Sequence, residues 1–502
     1  PSLRKSLKSK NSPNEMKLVP QVQNYNLDDF NHLMNDVALR TASAAKRPYY
    51  AQRKIVRCYN YFLKRIDKEI ESLNDESVVD FLLGKYNKVK QAMLVKIEVS
   101  SHSDAYVLFE SLNNRGTPLT AIDLMKNLIM AKAEGNNLTI DDCFNRWQTL
   151  LGNLSEDYSI QERFFRQYYN AFKHHLNEPF QSDADRKKDP LGVVATRSNL
   201  LNIFESLINK DLPSFLDDIL QCGQIYSWLI LQDTIENPYR KALEDLDHIQ
   251  GAPSYLLLMY LMRNQEELAV SEEQINLIIR LLAKYFVRRN ITDYPNTRDL
   301  TRIFMDIISK LEEAQATGGK VVSIIIDILS TPTNCASDEQ FRRSLEGDVY
   351  KDNVGATRYI LCKLAEAAMT QETWTDLWSR TDKKVFVWTI EHIFPEGQNI
   401  PESWVNMIAD GDKELAKQYL EEYTHKIGNL TITGYNSTLG NKSFEEKRDR
   451  KSKDGQRSIG YKNGLDINRE IATMDKWTVD DIKTRTATLV DELMKVYKFP
   501  GE

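Results

Sequence analysis

Two short pieces near the C-terminus hold the residue types that could do chemistry. The first runs from Val385 through Glu391 and His392 to Pro395. The second runs from His425 through Asn429 and Asn436, and continues past Asn441 and Lys442 to Lys447. An imidazole titrates near neutral pH and can take a proton from water. A carboxylate and a carboxamide are hard oxygen ligands, suited to Mg2+ or Mn2+, ions that keep several waters and borrow phosphate oxygens for the rest of their shell. Together these groups could hydrolyse a phosphodiester, with a base for the water and a divalent ion for the charge on the phosphate and the leaving oxygen. Taken singly, a Glu-His pair is an ordinary strand end and an Asn-rich stretch an ordinary turn. Only their order and spacing set them apart.

Positioning them takes a strand ending in Glu391-His392, a loop, a second short strand over Leu430–Ile432, and a basic helix after Asn441. That layout resembles the ββα-metal, or HNH, nuclease site. The resemblance implies His392 as the general base, Glu391 and Asn436 as the metal ligands, and Asn429 as the brace of the loop carrying His392. It points Lys442 and Lys447 at the scissile strand, with Arg448 beside them, as contacts to the DNA backbone that position it without reading sequence. His392, Asn429 and Lys447 then make the expected catalytic set. Arg450, Lys451, Lys453 and Arg457 alternate with Glu445, Glu446, Asp449 and Asp454 and read as a solvated face.

A second informative stretch lies over 105–132. Its Asn113-Asn-Arg115-Gly116 run ends a helix, with Gly116 suited to the left-handed cap. Thr120 caps the next helix, with Asp123 placed for a capping box. A turn alone does not call for Asn113, Arg115, Asp123 and Lys126 together, and Arg115 at such a corner suits an anion or phosphate. Phe109–Asn127 resembles the N-terminal signature of GmrSD-type modification-dependent restriction endonucleases, and Glu391–Lys447 resembles the HNH domain that ends the same proteins. The resemblance spans most of the chain and implies defence against phage with modified DNA; some relatives sense phosphorothioated DNA. It makes Asn113, Arg115 and Asp123 candidates for binding a cofactor, a nucleoside triphosphate. The family's opening ParB-like core carries Asp-Gly-Gln-Gln-Arg. No such core precedes the first helices here, and Asp454-Gly455-Gln456-Arg457 is a chance match one Gln short. The core is therefore expected from a partner subunit or from outside this chain.

The composition bounds the rest. A chain of 502 residues, 41% hydrophobic and 27% charged, suits roughly two to four soluble domains. Its 20 Gly and 15 Pro are few, which suits a helical chain. A net charge of −6 argues against a uniformly basic coat and leaves room for a local basic face. Cys58, Cys143, Cys222, Cys335 and Cys362 are scattered, without Cys-x-x-Cys, and read as thiols of a reducing cytoplasm rather than zinc ligands. No apolar run reaches membrane-spanning length.

The expected fold is mainly α. Residues 1–135 form a helical remainder of the N-terminal sensor domain, 136–375 a helical connector, and 376–502 a small α+β nuclease domain. Helices are expected over Asp28–Leu39, Tyr49–Leu73 and Ser77–Lys90, with a strand over Gln91–Val99 and a closing helix over Trp477–Leu493. Arg288-Arg289 reads as solvated charge, and Arg485 resembles a family position of unassigned role. The expected activity is a Mg2+-dependent endonuclease acting on double-stranded, modified phage DNA, as a homodimer or with a nucleotide-binding partner. Its rival is a regulatory subunit with a silent nuclease fold.

Overall fold

Apolar side chains recur three and four residues apart through most of the chain. The computed structural model is accordingly mainly helical, with one two-stranded sheet among its described residues. It describes position 16 and residues 26–37, 53–71, 73–93, 120–176, 189–232, 236–434, 439–452 and 454–499. Asn113, Arg115, Gly116, Asn436 and Lys453 lie outside these, as does most of the strand expected over Gln91–Val99.

The chain divides into two compact units. The first takes Pro1–Gln161, Phe204–Leu216 and Asp382–Lys384. Its helices include Asn26–Asp36, Lys54–Ile70, Asp75–Lys90, Ala121–Lys132 and Ile140–Asn153. Each of the first three begins or ends a few residues from its expected bounds. The Arg53 guanidinium ties the start of one helix to the Asp29 and Glu156 carboxylates. Ala121–Lys132 opens on the expected capping box, with Asp123 N–H donating to Thr120 Oγ1 at 3.2 Å and Thr120 N–H donating to Asp123 Oδ2 at 3.2 Å. The Asp123 carboxylate is thereby taken by its own helix start.

The second unit takes Glu162–Ile203, Asp217–Thr381 and Val385–Glu502. The helix Glu272–Thr292 runs through its core, burying Ile275, Ile278, Ile279, Leu282 and Phe286 at helical spacing. It packs on Arg240–His248, Asp338–Leu345 and Val354–Ala367. Arg288 differs from the expected solvated charge. It shares the buried stripe one turn beyond Tyr285 and is fully buried, donating to the Asp338 carboxylate at 2.5 Å and the Ala336 carbonyl at 2.8 Å. Arg289 donates to the Pro295 carbonyl at 3.0 Å and the Asp293 carboxylate at 2.9 Å.

Strands β1 (Thr389–His392) and β2 (Leu430–Thr433) pair antiparallel, placing Glu391 opposite Thr431 and His392 opposite Leu430. Helices Glu402–Ala409 and Lys413–Tyr423 fill the connection between them, and Phe444–Arg448 follows β2. Phe444 stacks on Trp477 and meets Trp404 edge-on, in a core with Phe394, Tyr461 and Ile471. The closing helix, Val479–Val496, starts at the capping box of Thr478 and Asp481.

Candidate active site

Successive side chains of a strand point to opposite faces. Glu391 and His392 therefore part at the end of β1. Glu391 turns into the core, and His392 turns to a cluster formed by Tyr350, Glu396 and His425.

Lys447 meets Glu391 there, its Nζ 2.6 Å from Oε1, with both side chains buried. The same ammonium donates to the carbonyls of His392 at 2.8 Å and Ile393 at 3.2 Å. Burial raises the Glu391 carboxyl and lowers the Lys447 ammonium, and each partner's charge opposes that drift. The placement of Lys447 departs from the expected contact with DNA. It stands three residues after the core residue Phe444 on a short helix, so both side chains share the inward face. Its ammonium locks the end of β1 instead of facing solvent.

The other two basic candidates lie further out. Lys442 is half-buried, its Nζ 3.7 Å from Glu446. Arg448 donates to the Met474 carbonyl at 2.7 Å and pairs with Asp449 and Asp475, and its hydrogen bonds to Asp449 first and Asp475 next hold its guanidinium above its ordinary range.

Asn429 is fully buried, and its side chain makes four hydrogen bonds to three residues. Its Oδ1 accepts from Phe394 N–H at 2.8 Å and from Trp477 Nε1 at 3.1 Å. Its Nδ2 donates to the carbonyls of Phe394 at 2.9 Å and Thr424 at 3.0 Å. These bonds fix the loop that leaves His392. Arg485, on the closing helix, donates to the carbonyls of Gly428 at 2.6 Å and Leu430 at 2.7 Å, clamping the turn into β2. Burial pulls its guanidinium down to about 10. Gly428 has no alternative: a Cβ there would lie 2.3 Å from the Ile482 carbonyl oxygen.

His392 is nearly buried. Its Nε2 lies 3.4 Å from His425 Nδ1, and its Nδ1 lies 3.8 Å from Glu396 Oε2. The Tyr350 ring meets it edge-on at 4.5 Å and stacks along His425 at 5.5 Å. Burial, with His425 and Lys447 nearby, pushes the His392 imidazolium down to about 3, so the ring is neutral at physiological pH. A neutral imidazole carries one free lone pair, which can accept a proton or bind a metal.

Of the two donors expected to hold a hard ion, Glu391 lies among the described residues and Asn436 lies outside them. Glu391 Oε1 accepts from Lys447 at 2.6 Å, and a carboxylate has a second oxygen that can face an ion. One ligand atom each from His392, Glu396 and His425, by contrast, lie within 4.8 Å of one another. The sequence reading assigned no role to His425, Glu396 or Tyr350. His425 and Glu396 each sit four residues from an expected site residue, Asn429 and His392, and that nearness was the available signal. No comparable sequence signal marked Tyr350.

Two family models match the chain. GmrSD restriction endonuclease, N-terminal domain, matches residues 3–130, and GmrSD restriction endonucleases, C-terminal domain, matches residues 335–492. The second match includes Tyr350, Glu391, His392, Glu396, His425, Asn429, Lys447 and Arg485. No curated protein matches the chain.

Proposed function

The chain belongs to the GmrSD restriction endonuclease family, and from that premise we propose that it is a divalent-metal-dependent endonuclease of the HNH type, cutting modified double-stranded DNA. The observation that carries this reading is the placement of His392: a nearly buried imidazole at the end of β1, on a loop fixed by Asn429. In the proposed mechanism the His392 lone pair takes a proton from water. The resulting hydroxide attacks phosphorus in line, and the 3′ oxygen leaves. A divalent ion on Glu391 and Asn436, Mg2+ or Mn2+, would supply charge neutralisation at the phosphate. Lys447 holds Glu391 until that ion competes for it, so Lys447 is a positioning residue. Lys442 and Arg448 lie on the helix side of the site, where they can meet the backbone of bound DNA.

A nucleotide reaches the chain, on this reading, through Asn113 and Arg115 or through a partner subunit carrying the ParB-like core. A double-strand break needs a second copy or two successive nicks, since one such site cuts one strand. Supercoiled plasmid with Mg2+, tested beside an EDTA control and with both plain and base-modified DNA, tests the proposal. Conversion to open-circle or linear DNA that EDTA stops supports it. If both substrates stay intact even with nucleoside triphosphate added, the chain is instead a regulatory subunit.

A further inference from the structure

The cluster facing His392 holds more than a general base requires. His425 Nδ1 lies 3.4 Å from His392 Nε2, longer than the roughly 2.7–3.2 Å of a well-made hydrogen bond. Two imidazole nitrogens that share one tetrahedral ion, each bonded at about 2.0–2.1 Å, stand roughly 3.4 Å apart. The spacing therefore suits a shared ion better than a ring-to-ring hydrogen bond. Glu396 Oε2 lies 3.8 Å from the other ring nitrogen of His392, Nδ1, and its side chain is 56% exposed, so it can swing round to an ion at Nε2. Tyr350 lies against both rings and holds their planes. Two imidazoles and one carboxylate make a borderline donor set, which favours Zn2+, Ni2+ or Co2+ over the hard Mg2+.

We propose that His392, His425 and Glu396 form an inhibitory site for a borderline divalent transition ion, separate from the oxygen ligands expected to hold Mg2+. Its inhibitory half rests on the reading of His392 as the base. A neutral imidazole has a single lone pair, so an ion bound to His392 removes the group that deprotonates water. The nuclease then stays silent at any concentration of Mg2+ while the ion is held.

Co2+ is the probe, because its visible absorption reports the number and kind of its ligands. The full chain should bind one Co2+ with the absorption of a four-coordinate site, and Zn2+ should displace it. His425→Ala should abolish those bands, and Glu396→Gln, a change on an exposed side chain, should weaken binding by roughly 10–100-fold. Zn2+ should stop Mg2+-driven plasmid cleavage in the wild type, and a Zn2+ chelator should restore it. No Co2+ binding, or binding that both variants retain in full, overturns the site. Cleavage that persists with Zn2+ bound overturns the inhibition. The two readings fail separately: a chain that cuts DNA yet binds no Co2+ keeps the nuclease and loses this site. A chain that binds Co2+ yet cuts nothing keeps the site and loses the nuclease.

Discussion

Lys447 reaches across 56 residues of sequence to place its ammonium 2.6 Å from the Glu391 carboxylate, and neither side chain meets solvent. This pair joins the helix Phe444–Arg448 to the end of β1. Breaking one half of it leaves the other charge buried without a partner, at a cost of about 3–5 kcal/mol. Lys447→Met and Glu391→Gln should each destabilise the chain by that order. The double variant should cost less than the two together, and urea denaturation of all four proteins measures the coupling.

The loop brace gives a second test. Asn429→Ala leaves the buried Phe394 N–H and the Trp477 indole N–H without their acceptor. Each orphaned donor costs about 1–3 kcal/mol. The expected result is a lower thermal midpoint together with lost DNA cleavage. Asn429→Asp keeps the acceptor and should recover part of the stability.

Some of this was legible from residues alone. The helical spacing of apolar side chains gave the mainly α fold, and the Thr120–Asp123 spacing marks a helix start that the structure contains. The inward aim of Lys447 could also have been read, because Phe444 three residues before it is a core side chain. Its partner could not. Nothing local in the sequence says that a Lys in one element will meet a Glu 56 residues earlier, and the meeting depends on how β1 twists against the later helix. The same holds for His425 and Tyr350, which the chain brings to His392 from separate elements. Arg485 resembled a family position without a role, and only the fold shows it gripping the carbonyls that flank Asn429.

That grip is testable. From a buried position the Arg485 Nη1 serves two carbonyls, Gly428 and Leu430, and its Nη2 serves a third, Ile467, at 3.3 Å. An ammonium lacks the planar fork that reaches this pair and Ile467 together. Arg485→Lys should lower stability by about 1–3 kcal/mol, read from thermal unfolding. Hydrogen exchange at Leu430–Thr433 should speed up in the same variant.

His392 makes stability depend on pH. Its folded pKa, about 3, lies below the ordinary 6.5, so between those values the unfolded chain binds a proton that the folded chain excludes. Stability should be unaffected by this group above pH 6.5 and should fall as pH drops toward 3. The slope is about 1.4 kcal/mol per pH unit. Denaturation curves at pH 6, 5.5 and 5 should approach that slope in the wild type and lose it in His392→Gln.

The central claim is that His392 deprotonates the attacking water. The most direct measurement is the single-turnover rate of plasmid cleavage by the wild type and by His392→Ala, each shown to be folded by circular dichroism and each supplied with saturating Mg2+. The account predicts that the variant binds DNA as the wild type does while its cleavage rate falls by about 100-fold or more. A folded His392→Ala that cuts at the wild-type rate would contradict it, and would place the base elsewhere in the chain.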